Sequence, residues 1–231
     1  MEFGCQVEKW RAFMCGVPRG VINAEMLCKG PHRGESVYPE FSEKRHVKAL
    51  EPDGGLTWIG GMDFGYRGEM VFLWAQVRVR GDGKRRMEVV REYVEKGFRL
   101  GDFMDSVEAL GMPRPSWLGV DPTGDARNLH TGMSTIDVLK GRGYAVRFQR
   151  APVIQGIDVV RRYLEGDRGG ERLLIDPKCR RLIEGLTKYH FDPDDPSNVN
   201  PVKDGSDHVC DALRYMLTNM PGWKEAEWMR Y

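Results

Sequence analysis

A chain of 231 residues is long enough for one large domain, or for a domain of about 150–180 residues with an added segment, and needs neither disulfides nor structural metal to bury a core. Its composition, 41% hydrophobic and 30% charged, is that of an ordinary globular protein, and a formal net charge of +1 excludes a global electrostatic pull toward nucleic acid. Five cysteines without a C-x-x-C pair argue against a disulfide framework or a zinc ribbon, and the absence of both a ~20-residue apolar run and a signal-peptide core leads us to expect a soluble, intracellular protein with no membrane partner.

Residues 1–55 are punctuated by Gly16, Pro18, Gly20, Gly30, Pro31, Gly34 and Pro39, with one helix-like patch around Trp10, Phe13 and Met14. They read as an irregular N-terminal segment. The folded domain is expected over 56–220, with 221–231 as a tail. Leu56 to Met62 is a compact apolar run bounded by glycines, as in a buried strand. Met70 to Arg80 and Arg85 to Val94 predict two more strands, joined through Gly81-Asp82-Gly83-Lys84, where Asp-Gly is a hairpin signal. Helical spacing follows over Asp102 to Leu110, then a short strand over Trp117 to Val120. Thereafter helices (Thr135 to Lys140, Ile154 to Leu164, Lys178 to Lys188) alternate with strands (Ala145 to Phe148, Arg172 to Ile175). A last helix runs from Ser206 to about Asn219, with Val209, Ala212, Leu213, Met216 and Leu217 on one apolar face. This order predicts an α/β fold with a mixed sheet flanked by helices.

Three places put carboxylates where chemistry would use them. Asp63 ends the first apolar strand and is followed by a glycine; a buried acid there is costly unless paired, hydrogen-bonded or bound to a cation. Asp121 ends the strand Leu118-Gly119-Val120, and strand ends are where α/β folds gather ligands. Asp207, His208 and Asp211 fall within the first turns of the last helix, at spacings that can line one side of it. Each also has a plain structural role open to it: Asp63 as a turn cap, Asp121 as an Asp-Pro turn initiator, Asp207 at a positive helix N-terminus, Asp211 as a solvated side chain. Taken together, the set suits hydrolysis of a phosphodiester with two Mg²⁺ or Mn²⁺ ions, which prefer hard oxygen donors. The metal ligands would be Asp63 and Asp121 with Asp211 or Asp207, and His208 would hold a water or move a proton.

Four stretches carry a resemblance to a known family: Arg33-Gly34-Glu35-Ser36-Val37-Tyr38-Pro39-Glu40-Phe41, Gly61-Met62-Asp63-Phe64-Gly65-Tyr66, Gly119-Val120-Asp121-Pro122, and Asp207-His208-Val209-Cys210-Asp211-Ala212-Leu213-Arg214-Tyr215. In this order they resemble the nuclease domain of the large terminase subunit of tailed bacteriophages. The resemblance implies a ribonuclease H-like fold and an endonuclease that cuts concatemeric viral DNA during head filling, in the cytoplasm of the infected host. It implies catalytic roles for Asp63 and Asp121. In the closing helix, members of the family use either an acid at the position of Asp207 or a His-x-x-Asp pair, here His208 and Asp211; we expect the latter, with Asp207 as a further candidate ligand. Double-stranded DNA, a packaging ATPase, the portal and the small terminase subunit are the implied partners. One departure stands out: no stretch reads G-x-x-x-x-G-K-[ST], and Gly81-Asp82-Gly83-Lys84-Arg85 lacks both the spacing and the hydroxyl. The packaging ATPase would therefore lie outside this sequence, and residues 1–50 would be the segment that follows it.

Basic clusters supply candidate DNA contacts: Arg78, Arg80, Lys84 and Arg85 around the hairpin, with Arg147 in the fifth strand and Arg150 just after it. Two rival readings remain at this point. One is another ribonuclease H-like nuclease of the resolvase type; the other is a non-catalytic DNA-docking module whose acids are structural.

Overall fold

The computed structural model describes residues 36–65, 68–127, 132–192, 194–195 and 200–221. The N-terminal helix-like patch, Arg33 to Glu35, Tyr66 and the end of the tail lie outside the described residues.

Six strands form one sheet: β1 (Thr57–Asp63), β2 (Glu69–Val79), β3 (Arg85–Lys96), β4 (Leu118–Val120), β5 (Val146–Arg147) and β6 (Leu173–Ile175), in the spatial order β5-β4-β1-β2-β3-β6. β2 runs antiparallel to β1 and β3, whereas β4 pairs parallel with β1, β5 with β4 and β6 with β3. The sheet is thus mixed, as expected. The antiparallel part is the meander that the Asp-Gly turn implies, and each parallel strand arrives after a helix, which supplies the crossover.

The helices are α1 (Glu43–His46), α2 (Leu100–Ala109), α3 (Thr135–Gly141), α4 (Val153–Glu165), α5 (Arg180–Lys188) and α6 (Asp207–Thr218), with a short 3₁₀ turn at Pro122–Asp125. All sequence-predicted elements after residue 55 are present. The strand expected over Ala145 to Phe148 shrinks to the two residues of β5 at the sheet edge, where one partner strand limits the ladder.

Alternation along the strands divides the core into two layers. Ile59, Val71, Leu73, Val89 and Ile175 point to the side covered by α4, α5 and α6. Trp58, Met62, Phe72, Trp74, Leu118 and Val120 point to the side covered by α2 and α3, against Phe103, Met104, Val107, Ile136 and Leu139. The stretch before β1 joins this core through Val37, Tyr38 and Leu50.

The seating of α6 on the sheet fixes where the acids stand. In the parallel register Gly61 lies opposite Gly119, and both face α6. A Cβ at Gly61 would collide with the carbonyl oxygen of Ala212, and one at Gly119 with that of Tyr215. The two glycines therefore form a seat on which the helix backbone rests directly against the sheet. Asp63 comes two residues after Gly61 on β1, so the period of two points it toward the α6 side, and Asp121 stands two residues after Gly119, just past the end of β4.

Candidate active site

β1 and β4 bring the first two acids together. Met62 is aligned with Val120, so Asp63 and Asp121 are the next residues on adjacent parallel strands. Asp63 is 6% exposed and still within β1. Asp121 follows β4 and is more open; its Oδ1 accepts the backbone N–H of Thr123 at 2.8 Å and so caps the 3₁₀ turn. The turn-initiating role is real, and it leaves the second carboxylate oxygen of Asp121 outside that bond.

The first turn of α6 supplies the third component. His208 Nδ1–H donates to Asp63 Oδ2 at 2.8 Å. The other edge of the imidazole rests on the Gly65–Gly68 turn: a Cβ at Gly68 would collide with His208 Nε2. That turn needs Gly65, whose φ of 50° is left-handed and whose absent Cβ makes room for the Glu69 carbonyl. His208 is therefore wedged between a carboxylate and a backbone turn.

Charge at the site is unbalanced toward the negative. Burial pushes the Asp63 carboxyl up from its ordinary value, the bond from His208 pulls it down, and the negative charges of Asp211 and Asp121 push it up again. His208 is raised by its bond to Asp63, which outweighs burial. Asp211 is raised chiefly by burial, opposed by Arg214. Arg214 donates to Asp211 Oδ1 through Nε at 3.2 Å and Nη2 at 2.8 Å.

Asp211 is not a solvated side chain, and the face of α6 opposite its apolar stripe is not open. α4 covers it, with Gly156 packed against the stem of Arg214, and the Arg214 guanidinium lies 4.5 Å from the centre of the Tyr215 ring. Asp207 is 4% exposed, and its Oδ1 accepts the Gly205 N–H at 3.0 Å at the start of the helix. Asp63, Asp121, His208 and Asp211 thus form one electrostatic neighbourhood; Asp207, tied to the turn that precedes α6, also acts on it by raising His208 and Asp211. Among the described residues no three His, Cys, Asp or Glu side chains close into a ready ion cage.

The basic candidates separate into two groups. Arg78 pairs with Glu88 at 3.0 Å and Asp53 at 3.8 Å, Arg80 with Asp82 and Asp167 at 2.6 Å each, and Lys84 with Asp167 at 3.3 Å. With Arg85 they belong to the β2–β3 hairpin end, which the register places beyond Thr57, at the far end of β1 from Asp63. Eight residues of strand make that roughly 26 Å, so the structure does not bring these four to the acids. Arg147 and Arg150 are on the acid side. Arg147 is stacked over Trp117 at 4.8 Å, and Arg150 shares a shallow groove with Pro122 and Thr123, directly after Asp121.

Two residues of this neighbourhood, Arg214 and Gly68, have no role assigned from the sequence. Arg214 was detectable, standing three residues after Asp211 on a helix. Gly68 was not, because nothing local to the chain says that residue 208 comes back to it.

No protein-family model matches the sequence, and a search of curated proteins finds none that matches. Solved structures do. The large terminase from a thermophilic bacteriophage superposes with a TM-score of 0.68 at 19% identity, over 82% of this chain and 45% of that one. The P22 large terminase nuclease domain superposes with a TM-score of 0.60 at 16% identity, over 78% of this chain and 89% of that one. The chain thus spans about half the length of the thermophilic-phage protein and nearly the whole of the P22 domain. Its mixed six-stranded sheet flanked by helices is the ribonuclease H-like fold, the fold of a large-terminase nuclease domain.

Proposed function

We propose that this chain is a metal-dependent DNA endonuclease of the large-terminase type, cutting concatemeric viral DNA during genome packaging. The observation that carries the reading is the alignment of Asp63 with Asp121 at the ends of adjacent parallel strands, with His208 braced against Asp63. The four sequence motifs and the shared fold support it.

The residues fit a divalent cation by their chemistry. Two aspartates with hard oxygen donors stand together, and the like charges of Asp121 and Asp211 act on the buried Asp63. The lack of a closed cage among the described residues is no obstacle for Mg²⁺ or Mn²⁺, which are commonly held by one or two carboxylates, with waters and substrate phosphates completing the shell. Asp63 and Asp121 would hold the metal, with Asp211 or Asp207 as the third carboxylate. When bound, such ions supply Lewis-acid stabilisation of the phosphoryl oxygens and a water acidic enough to attack phosphorus.

The protein's own groups do the positioning. His208 engages Oδ2 of Asp63 and fixes the rotation of that carboxylate; the Gly65–Gly68 turn fixes His208 in turn. Arg214 offsets the charge of Asp211 and holds it in place. Arg150, beside Asp121, and Arg147 are the cations best placed to meet a DNA phosphate.

A packaging ATPase, the portal and the small terminase subunit are the proposed partners, and the cytoplasm of the infected host the proposed site of action. Among the described residues no helix is long and apolar enough to cross a membrane. The test is conversion of supercoiled plasmid to nicked and linear forms with Mg²⁺ or Mn²⁺. Wild type should cut and Asp63→Asn and Asp121→Asn should not. Activity that persists in both variants would instead favour a docking module with structural acids.

A further inference from the structure

At the Asp63 end of β1, against the layer under α2 and α3, lies a groove of about 640 Å³ walled by Phe64, Gly65, Gly68, Met70, Phe98 and Leu100. It meets the site at one residue, Gly68, against which His208 rests. Gly68 is thus both part of the groove wall and the support of the imidazole.

The chemistry of the walls is unlike a phosphate track. They are mainly apolar, and Phe98 leaves 38% of its surface exposed, in a fold that otherwise buries its described phenylalanines fully or in large part. Lys96 also lines the groove, its side chain 74% exposed and 3.2 Å from Glu69, which it shares with Arg181. A partly exposed aromatic ring with a cation nearby is the arrangement that stacks a nucleobase and meets its phosphate. A base inside a duplex has both faces covered by its neighbours, so only an unstacked base can present its face to Phe98.

We infer that this groove is a nucleotide subsite taking one unpaired base of the strand to be cut, with the base against Phe98 and its phosphate toward Lys96. The preferred substrate is then DNA with a locally melted strand. An occupant would press on Gly68, behind His208, and so couple substrate to Asp63. This rests on the nuclease reading above for its catalytic meaning, but not for its binding test.

Binding is read in the full chain carrying Asp63→Asn, with a short single-stranded oligonucleotide containing one 2-aminopurine, whose fluorescence falls when the base stacks. The expected result is quenching that adding Phe98→Ala abolishes and Phe98→Trp retains, with affinity for the single strand weakened about tenfold by the alanine. Cutting is read in the chain that keeps Asp63, on a duplex with an internal unpaired bubble against the fully paired duplex of the same length. The bubble should be cut faster, and Phe98→Ala should bring the ratio of the two rates toward one while Phe98→Trp restores it. An unchanged ratio and undiminished quenching in Phe98→Ala would overturn the subsite, as would a wild-type chain with neither preference nor quenching. If no DNA is cut while the quenching still depends on Phe98, the nuclease reading fails and the subsite stands.

Discussion

The imidazole of His208 donates to the carboxylate of Asp63 at 2.8 Å across 145 residues of sequence, with Gly68 filling the space behind the ring. A group that fixes a ligand from behind is commonly worth a factor of about 10–100 in metal affinity or activity. His208→Ala should therefore lower cutting by roughly that factor with little change in thermal stability. Gly68→Ala should do the same by displacing the ring, although the substituted residue carries no chemistry of its own. Rates and unfolding temperatures measured together check both variants; full activity in Gly68→Ala would show that the wedge is dispensable.

The glycine seat gives a prediction about stability. Gly61→Ala and Gly119→Ala each drive a methyl group into a backbone carbonyl of α6, where no side chain can rotate away. Overpacking of this kind costs typically about 1–3 kcal/mol, and here it also lifts His208 from Asp63. Denaturant unfolding should show midpoints lowered in both variants, together with loss of cutting.

The Asp211–Arg214 pair separates two roles of one acid. Removing Asp211 strands a guanidinium whose side chain is 8% exposed, and breaking such a buried pair costs about 3–5 kcal/mol. Asp211→Ala should be destabilised on that scale, and adding Arg214→Met should restore much of the stability. Cutting should stay low in the double variant if Asp211 also serves the site. Equilibrium unfolding and plasmid nicking on the same preparations distinguish the two contributions.

At the hairpin, the Asp167 carboxyl is held down to about 2 although burial opposes this, by bonds from Arg80, the Gly169 N–H and Lys84. A carboxylate depressed in the folded state leaves the unfolded chain binding more protons, so its stabilisation is present above the ordinary aspartate value and fades as pH falls toward about 2. Asp167→Asn should thus be less stable than wild type near pH 7, and the gap should narrow steadily on acidification below about pH 4. Urea unfolding at stepped pH gives the comparison. A gap that widens in acid would reverse the assignment.

What could be read from the sequence is what depends on near neighbours. The apolar runs of β1 and β4, the Asp-Gly hairpin and the apolar stripe of α6 are local patterns, and the structure has all of them. That Asp63 and Asp121 end those strands follows from the same runs. Register is not local. That Met62 pairs with Val120, and that Gly61 meets Gly119 beneath Ala212 and Tyr215, depends on how distant segments pack. For the same reason a solvated Asp211 is a fair reading of the helix alone and fails once α4 covers that face. The basic hairpin reads as a DNA contact because Asp167, which neutralises Arg80 and Lys84, lies more than eighty residues downstream of them.

In the proposed function Asp63 and Asp121 together hold a catalytic metal. Anomalous diffraction from crystals soaked in Mn²⁺ tests it most directly. Density for Mn²⁺ is expected between the carboxylates of Asp63 and Asp121 and is expected to be lost in Asp63→Asn; Mn²⁺ bound only elsewhere, or unchanged by that substitution, would contradict a shared metal.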